Sequence, residues 1–295
     1  MPGFMSNNVS FTICRADAAK FKAEAVRRHV FTPDVNADGR RLGWVGLGDP
    51  LDEDFAFGLE HGAYAAFSLR LDTRTVSGAA VKLQLAEAVR EEEAAGKKVG
   101  SKRKKELKEN ITAALLAKAE FVPGCIDCLW DLDNGRLFVG AISPKQLQAV
   151  FGLFKTTFGL EPALLTSKAD LARLFAQICR QGEYTCSGFT LTPFGTASLA
   201  TPGQAEDKAL VSVQNNLNAI ISALDEGLNI QKLRLVASAD DNPDCSLDFT
   251  LDASLGISGL RLPKADKDAD QDAEFMLKTD TCLQAAALAQ ILAGV

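Results

Sequence analysis

The chain has 295 residues, 47% of them hydrophobic, with 38 acidic and 32 basic side chains and a formal net charge of −6. That length buries a substantial core, holds two or three compact units and needs no disulfide staples. Its longest apolar runs, ITAALLA and LQAAALAQILAG, are too short and alanine-rich to cross a bilayer, and MPGFMSNNVS lacks the regions of a secretion signal, so a cytoplasmic protein without membrane attachment is expected.

The first 75 residues read as a mixture of strands and helix. VSFTIC alternates Val9, Phe11 and Ile13 as a half-buried strand does, DAAKFKAEAVRRH has a helical pattern, and RLGWVGL and AYAAFSLRLD each read as a strand. Val81, Leu85 and Val89 then recur every four residues ahead of three glutamates. Leu107, Ile111, Ala114 and Leu115 form a second stripe behind Ser101, the expected N-cap. Gly96 and Gly100 break the chain between the stripes, which predicts an αα-hairpin.

Beyond it, Asn134-Gly135 between two apolar runs predicts a strand pair. Ser143-Pro144-Lys145-Gln146 predicts a capped helix start, followed by a stripe of Leu147, Val150, Phe151, Phe154 and Phe158 up to Gly159. Another helix is expected from Ser167, in a capping relation with Asp170, with Leu171, Leu174, Phe175 and Ile178 on one face. From about residue 186 the pattern turns to strands at CSGFTLTPF, KALVSV, QKLRLVAS, CSLDFTLD, LGISGLRL and EFMLK, with a helical QNNLNAIISALDEG and a final helix near 282 to 293. Asp266, Asp268 and Asp270 imitate the start of a calcium loop, but Gln271 and Leu277 stand where glycine and glutamate are needed, so a solvated acidic connection is expected. The expected fold class is α+β: antiparallel sheets with packed helices and a protruding helical finger. Its expected units are residues 1–75 with 122–180, the finger 76–121, and a base 181–295.

Seven scattered cysteines, at 14, 125, 128, 179, 186, 245 and 282, fit reduced thiols. Cys125-Ile-Asp-Cys128 has no second pair at zinc-finger spacing, and His29 and His61 are remote in sequence. A structural role is expected for the thiols, and no metal or other cofactor is called for.

Charge is segregated. Between residues 97 and 108, Lys97, Lys98, Lys102, Arg103, Lys104, Lys105 and Lys108 face a single acid, Glu106, a local charge of +6 in an acidic chain. Clustered lysines suit a protein that holds nucleic acid without reading sequence, because ammonium groups neutralise phosphates and their flexible stems demand no fixed base pattern. Two other readings stand beside this one: a solvated helix paired with the upstream glutamates, and contact with acidic lipid or protein.

FTP at 31–33, GWV at 43–45, the lysine-rich segment running into ELKENITAALLAKAEF, WDLDNGRLFVGAISPKQ, FGLEPALLT and DAEFMLKTDTCLQAAALAQIL together resemble, in order and over nearly the whole chain, the recombination-associated protein family RdgC. The resemblance implies a nucleoid-associated, non-enzymatic α+β protein that forms a ring-shaped homodimer. It implies binding to duplex DNA without sequence preference and restraint of RecA-mediated strand exchange. Basic finger positions of the family match Lys97, Lys98 and Lys104, with Lys102, Arg103, Lys105 and Lys108 enriching the stretch. A family phenylalanine that closes the ring aligns with Glu120, so the dimer contact is expected from the next residue, Phe121. Gln214 is kept from a second contact region, but Ser212 and Val213 replace the basic residues before it, which displaces DNA contact onto Lys232 and Arg234.

Two other functions compete. Asp127, Asp131 and Asp133 with a lysine could hold magnesium for a metal-dependent nuclease. A protein-interaction module that has lost DNA binding would fit the overall acidity.

Overall fold

The computed structural model describes residues 3–36, 39–201, 211–241, 246–264 and 270–294. Cys245, Asp266 and Asp268 lie outside the described residues, as do the first three residues of KALVSV.

β1 (Asn8–Arg15) sends Val9, Phe11 and Ile13 into one core, while Cys14 and the following Ala16 enter another. The single helix expected after it is split into a 3-10 turn at Ala18–Lys20 and α1 (Ala23–Arg28). Phe21 is extended between them because its ring packs on Trp130 at 5.7 Å and Phe158 at 6.2 Å. β2 (Arg41–Val45), β3 (Glu60–His61) and β4 (Tyr64–Arg74) follow, with β4 pairing both others.

α2 (Gly78–Ala94) and α3 (Ser101–Lys118) form the expected hairpin. Ser77 caps α2 by accepting from the Ala79 N–H. Gly96 ends it at φ +78°, and the Gly96 and Lys97 N–H groups donate to Glu93 and Glu92 carbonyls, the paired bonds of a Schellman stop. The N-cap of α3 is Gly100 rather than Ser101, which is the first helical residue and makes no capping bond. Ala114 is exposed, and α3 buries no residue fully. β5 (Phe121–Val122) returns to β4, with Phe121 opposite Arg74.

β6 (Cys125–Asp131) and β7 (Arg136–Val139) pair as expected, but through a four-residue loop, since Asp131 lies opposite Arg136. Only Gly135 of the Asn134-Gly135 pair takes positive φ, and the Asp131 carboxylate orders the turn by accepting from the Asp133 and Asn134 N–H groups. α4 (Pro144–Phe158) starts at Ser143 without the expected side-chain cap; the Ser143 carbonyl accepts from Gln146 and Leu147 instead. β8 (Ala163–Leu164) pairs β1. α5 (Leu171–Gln181) is capped by Asp170, whose carboxylate accepts from the Arg173 N–H, whereas Ser167 donates to the Ala169 and Ala293 carbonyls.

The remaining chain gives β9 (Tyr184–Cys186), β10 (Phe189–Ala200), β11 (Val211–Val213), α6 (Leu217–Asp225), β12 (Asn229–Ala239), β13 (Ser246–Asp252), β14 (Gly256–Arg261) and α7 (Gln271–Leu292). The expected strand EFMLK lies inside α7. Asp270 caps the helix through the Ala273 N–H, and the buried positions Phe275, Lys278, Thr279, Cys282, Ala285, Ala286, Leu288, Ala289 and Leu292 keep helical spacing. Short apolar runs do not separate helix from strand.

Among the described residues the strands form one 14-stranded sheet, not separate ones, with the order β11-β10-β12-β13-β14-β1-β7-β6-β4-β2 and β3, β5, β8 and β9 attached to its flanks. Every strand pairing is antiparallel. One core lies under α5, α6 and α7 and includes Leu233, Leu235, Phe249 and Phe275. The other joins Trp44, Phe67, Trp130 and Phe154 under α4, with neighbouring ring centroids 4.9 to 6.1 Å apart and the Trp44 indole donating to Thr157 at 2.8 Å. Neither core draws a side chain from α2 or α3, which pack chiefly on each other.

Candidate nucleic-acid interface

Apart from Ala80 in the first turn, Val81, Leu85, Ala88, Val89 and Glu92 are the less exposed positions of α2 and mark the face turned to α3. At about 1.5 Å per residue, an 18-residue helix carries the turn between the helices about 27 Å from its root. Lys97 and Lys98 occupy that turn, and Lys102, Lys104, Lys105 and Lys108 stand on the first turns of α3, all exposed. Among the described residues, Lys97, Lys98, Lys102, Lys104 and Lys108 have no carboxylate within 4.0 Å. Lys105 is 3.9 Å from Glu109.

Arg103 differs from its neighbours. Its Nε and Nη2 donate to Glu92 at 3.1 and 2.6 Å, and Nη1 donates to Glu106 at 3.2 Å. The bond from Arg103 holds the Glu92 carboxyl below its ordinary range. This side chain ties the hairpin together; the lysines supply its free charge.

The other sequence-predicted residues lie elsewhere. Lys232 and Arg234 share a face of β12, but Lys232 is 2.9 Å from Asp252, and Arg234 donates twice to Asp248, at 2.9 and 2.7 Å, while stacking 4.2 Å over Phe194. Arg261 approaches the same Asp248 at 3.2 Å. The face is therefore a ladder of compensated charge. Gln214 is exposed between β11 and α6, two residues before Asn216, the cap of α6. β12 and β4 are six sheet positions apart, about 29 Å at ordinary strand spacing, so hairpin and β12 are distinct surfaces of one copy.

Phe121 sits at the root of the hairpin, not its tip. Its ring lies between two guanidinium groups, Arg41 at 4.0 Å and Arg74 at 4.5 Å. Sequence reasoning missed these two arginines, because only the β4–β5 register brings Arg74 beside Phe121.

The three aspartates of the nuclease reading do not converge. Asp127 and Asp131 are four residues apart on one strand, about 13 Å. Asp127 is buried, accepting from Ser68 Oγ at 2.6 Å and the Phe4 N–H at 2.8 Å, and Asp131 is engaged with its turn. Cys125 and Cys128, three apart on the same strand, point to opposite faces. Burial pushes the Cys125 thiol up to about 11 and Cys128 well above the ordinary range. None of the six described cysteines forms a disulfide, and no group of three metal-ligating side chains is found among the described residues. No described helix is long and apolar enough to cross a membrane.

Among the described residues, a large antiparallel sheet with seven helices, two of them forming a lysine-tipped projection, defines a mixed α/β protein. Residues 5–295 match the family model described as "Putative exonuclease, RdgC", and the chain belongs to the RdgC family. No curated protein matches it.

Proposed function

We propose that this protein binds duplex DNA without sequence preference through the α2–α3 hairpin and does not cleave it. Membership of the RdgC family supports a recombination-associated role at the nucleoid. The observation that carries the reading is the set of five uncompensated lysines on a projection whose removal from water serves neither core. Lysines on flexible stems bind phosphates as point charges, and they release counterions when they do so. In the fuller form of the proposal two copies close into a ring around the duplex and restrain RecA-dependent strand exchange by occupying it. Phe121 with its flanking arginines belongs to the contact between copies, and Gln214 faces the DNA.

Binding of unrelated duplexes across a salt series tests this. Five neutralised phosphates give a slope of log K on log salt of about −4.5, and changing Lys97, Lys98, Lys102 and Lys104 to Gln flattens it to about −1 for every sequence alike. Unchanged affinity in that variant moves the DNA site elsewhere. Incubating linear and circular duplex with magnesium decides against the nuclease reading when both are recovered intact, and for it when product accumulates.

A further inference from the structure

A small pocket away from the hairpin, about 170 Å³ in volume, lies where β1 and the β6–β7 turn meet the end of α7. Arg15 and Arg136 stand directly opposite each other in the β1–β7 register, so their side chains leave the same face as neighbours of like charge, which repel. Among the described residues neither has a carboxylate within 4.0 Å. Asp131, opposite Arg136 on the other side, accepts instead from the Asp133 and Asn134 N–H groups and from Asn134 Nδ2 at 2.9 Å. Gln290 of α7 lines the same pocket. It is only 5% exposed, and its Nε2 is buried without a hydrogen-bond partner. A buried donor left unpaired is unfavourable and rare in folded proteins.

Two repelling guanidinium groups and an orphaned amide donor are relieved together by one kind of guest, an anion with several oxygens. We propose that this pocket binds a phosphate dianion between Arg15, Arg136 and Gln290. Each guanidinium presents a planar fork of donors matched to phosphate oxygens, the two charges balance a dianion, and the Gln290 amide supplies the donor from the third side. At about 170 Å³ the pocket has room for a tetrahedral anion. Inorganic phosphate and the phosphoryl end of a nucleotide share the required chemistry.

The test is calorimetric titration of the full chain, at constant ionic strength, with inorganic phosphate and with adenosine 5′-monophosphate. Saturable binding of one equivalent is expected, weakened at least tenfold by Arg136→Gln and by Gln290→Glu, since each removes a charge-assisted bond and the new carboxylate occupies the site itself. Changing Lys97, Lys98 and Lys102 to Gln leaves that binding unchanged, which separates this site from the hairpin. Arg136→Gln also keeps or raises the thermal midpoint without phosphate, because the repulsion is gone, so lost binding is not lost folding. Equal affinity for the two probes assigns the site to the free anion; tenfold tighter binding of the nucleotide assigns it to a phosphoryl end. Absence of saturable binding to either, or binding untouched by both variants, overturns the proposal.

Discussion

Asp127 is the residue on which the local physics is sharpest. Burial raises its carboxyl above the ordinary range, opposed by the hydrogen bonds from Ser68 and the Phe4 N–H. A raised folded value means that the native state binds its proton more readily than the unfolded chain. Stability from this group is thus fully present below the ordinary carboxylate value, about 4, and is lost as pH rises through the folded value. Asp127→Asn keeps an acceptor for Phe4 and abolishes that fall. Asp127→Ala leaves the Phe4 donor and the Ser68 hydroxyl stranded and costs about 2–4 kcal/mol. Urea denaturation at pH 4.5 and 7.5 reads both effects; an equal pH dependence in Asp127→Asn and the parent chain rules out the assignment. The Arg103 side chain makes the complementary point: residue type and spacing place it among the lysines, and only its geometry shows that it serves Glu92 and Glu106.

At the scale of elements, the hairpin is separable from the fold. Arg74 and Phe121 are register partners, so the chain leaves and re-enters the body at one point, and both cores are complete without α2 or α3. Replacing residues 78–118 by a short glycine-serine linker is expected to shift the thermal midpoint by no more than about 2 °C and to abolish duplex binding. A large fall in the midpoint would show that the hairpin is part of the folding unit. This element was legible in the sequence because its stripes repeat every three to four residues and glycines break it at both ends of the turn. α7 was half legible: its alanine-rich end reads as helix, but PKADKDADQDAE before it carries no apolar period, and EFMLK alone is too short to declare one. The cap residue was right at Ser143, although its side chain makes no capping bond, but it lies one residue earlier than Ser101 and three residues later than Ser167, at Gly100 and Asp170, because residue type alone does not say where the backbone turns helical.

For the whole molecule, continuity of the sheet matters more than the division into units suggested by sequence. β1 joins β14 to β7 and sends alternate residues into the two cores, so neither core can open without disturbing the other. Phe154→Ala, a cavity among Trp44, Phe67 and Trp130, is expected to cost about 3–5 kcal/mol and to move a single unfolding transition as one. Two separated transitions by near- and far-ultraviolet circular dichroism would refute that coupling. Sequence periodicity identified most strands but not their neighbours, because β14 and β1 are paired across the whole chain and no local pattern records such a partner. The compensated ladder on β12 was hidden for the same reason: Asp248 and Asp252 reach Arg234 and Lys232 only through register.

The root of the hairpin also sets how the molecule answers to tension. β5 has two residues, and its bonds to β4 are the first to lie in the path of a pull applied at the lysine-bearing end. A dragged load would peel that short pairing and let the projection swing on its stem, sparing the long ladders of the sheet. Exposed positive charge and the long strand ladders thereby lie in different parts of the chain, and the projection can yield while the body keeps its shape.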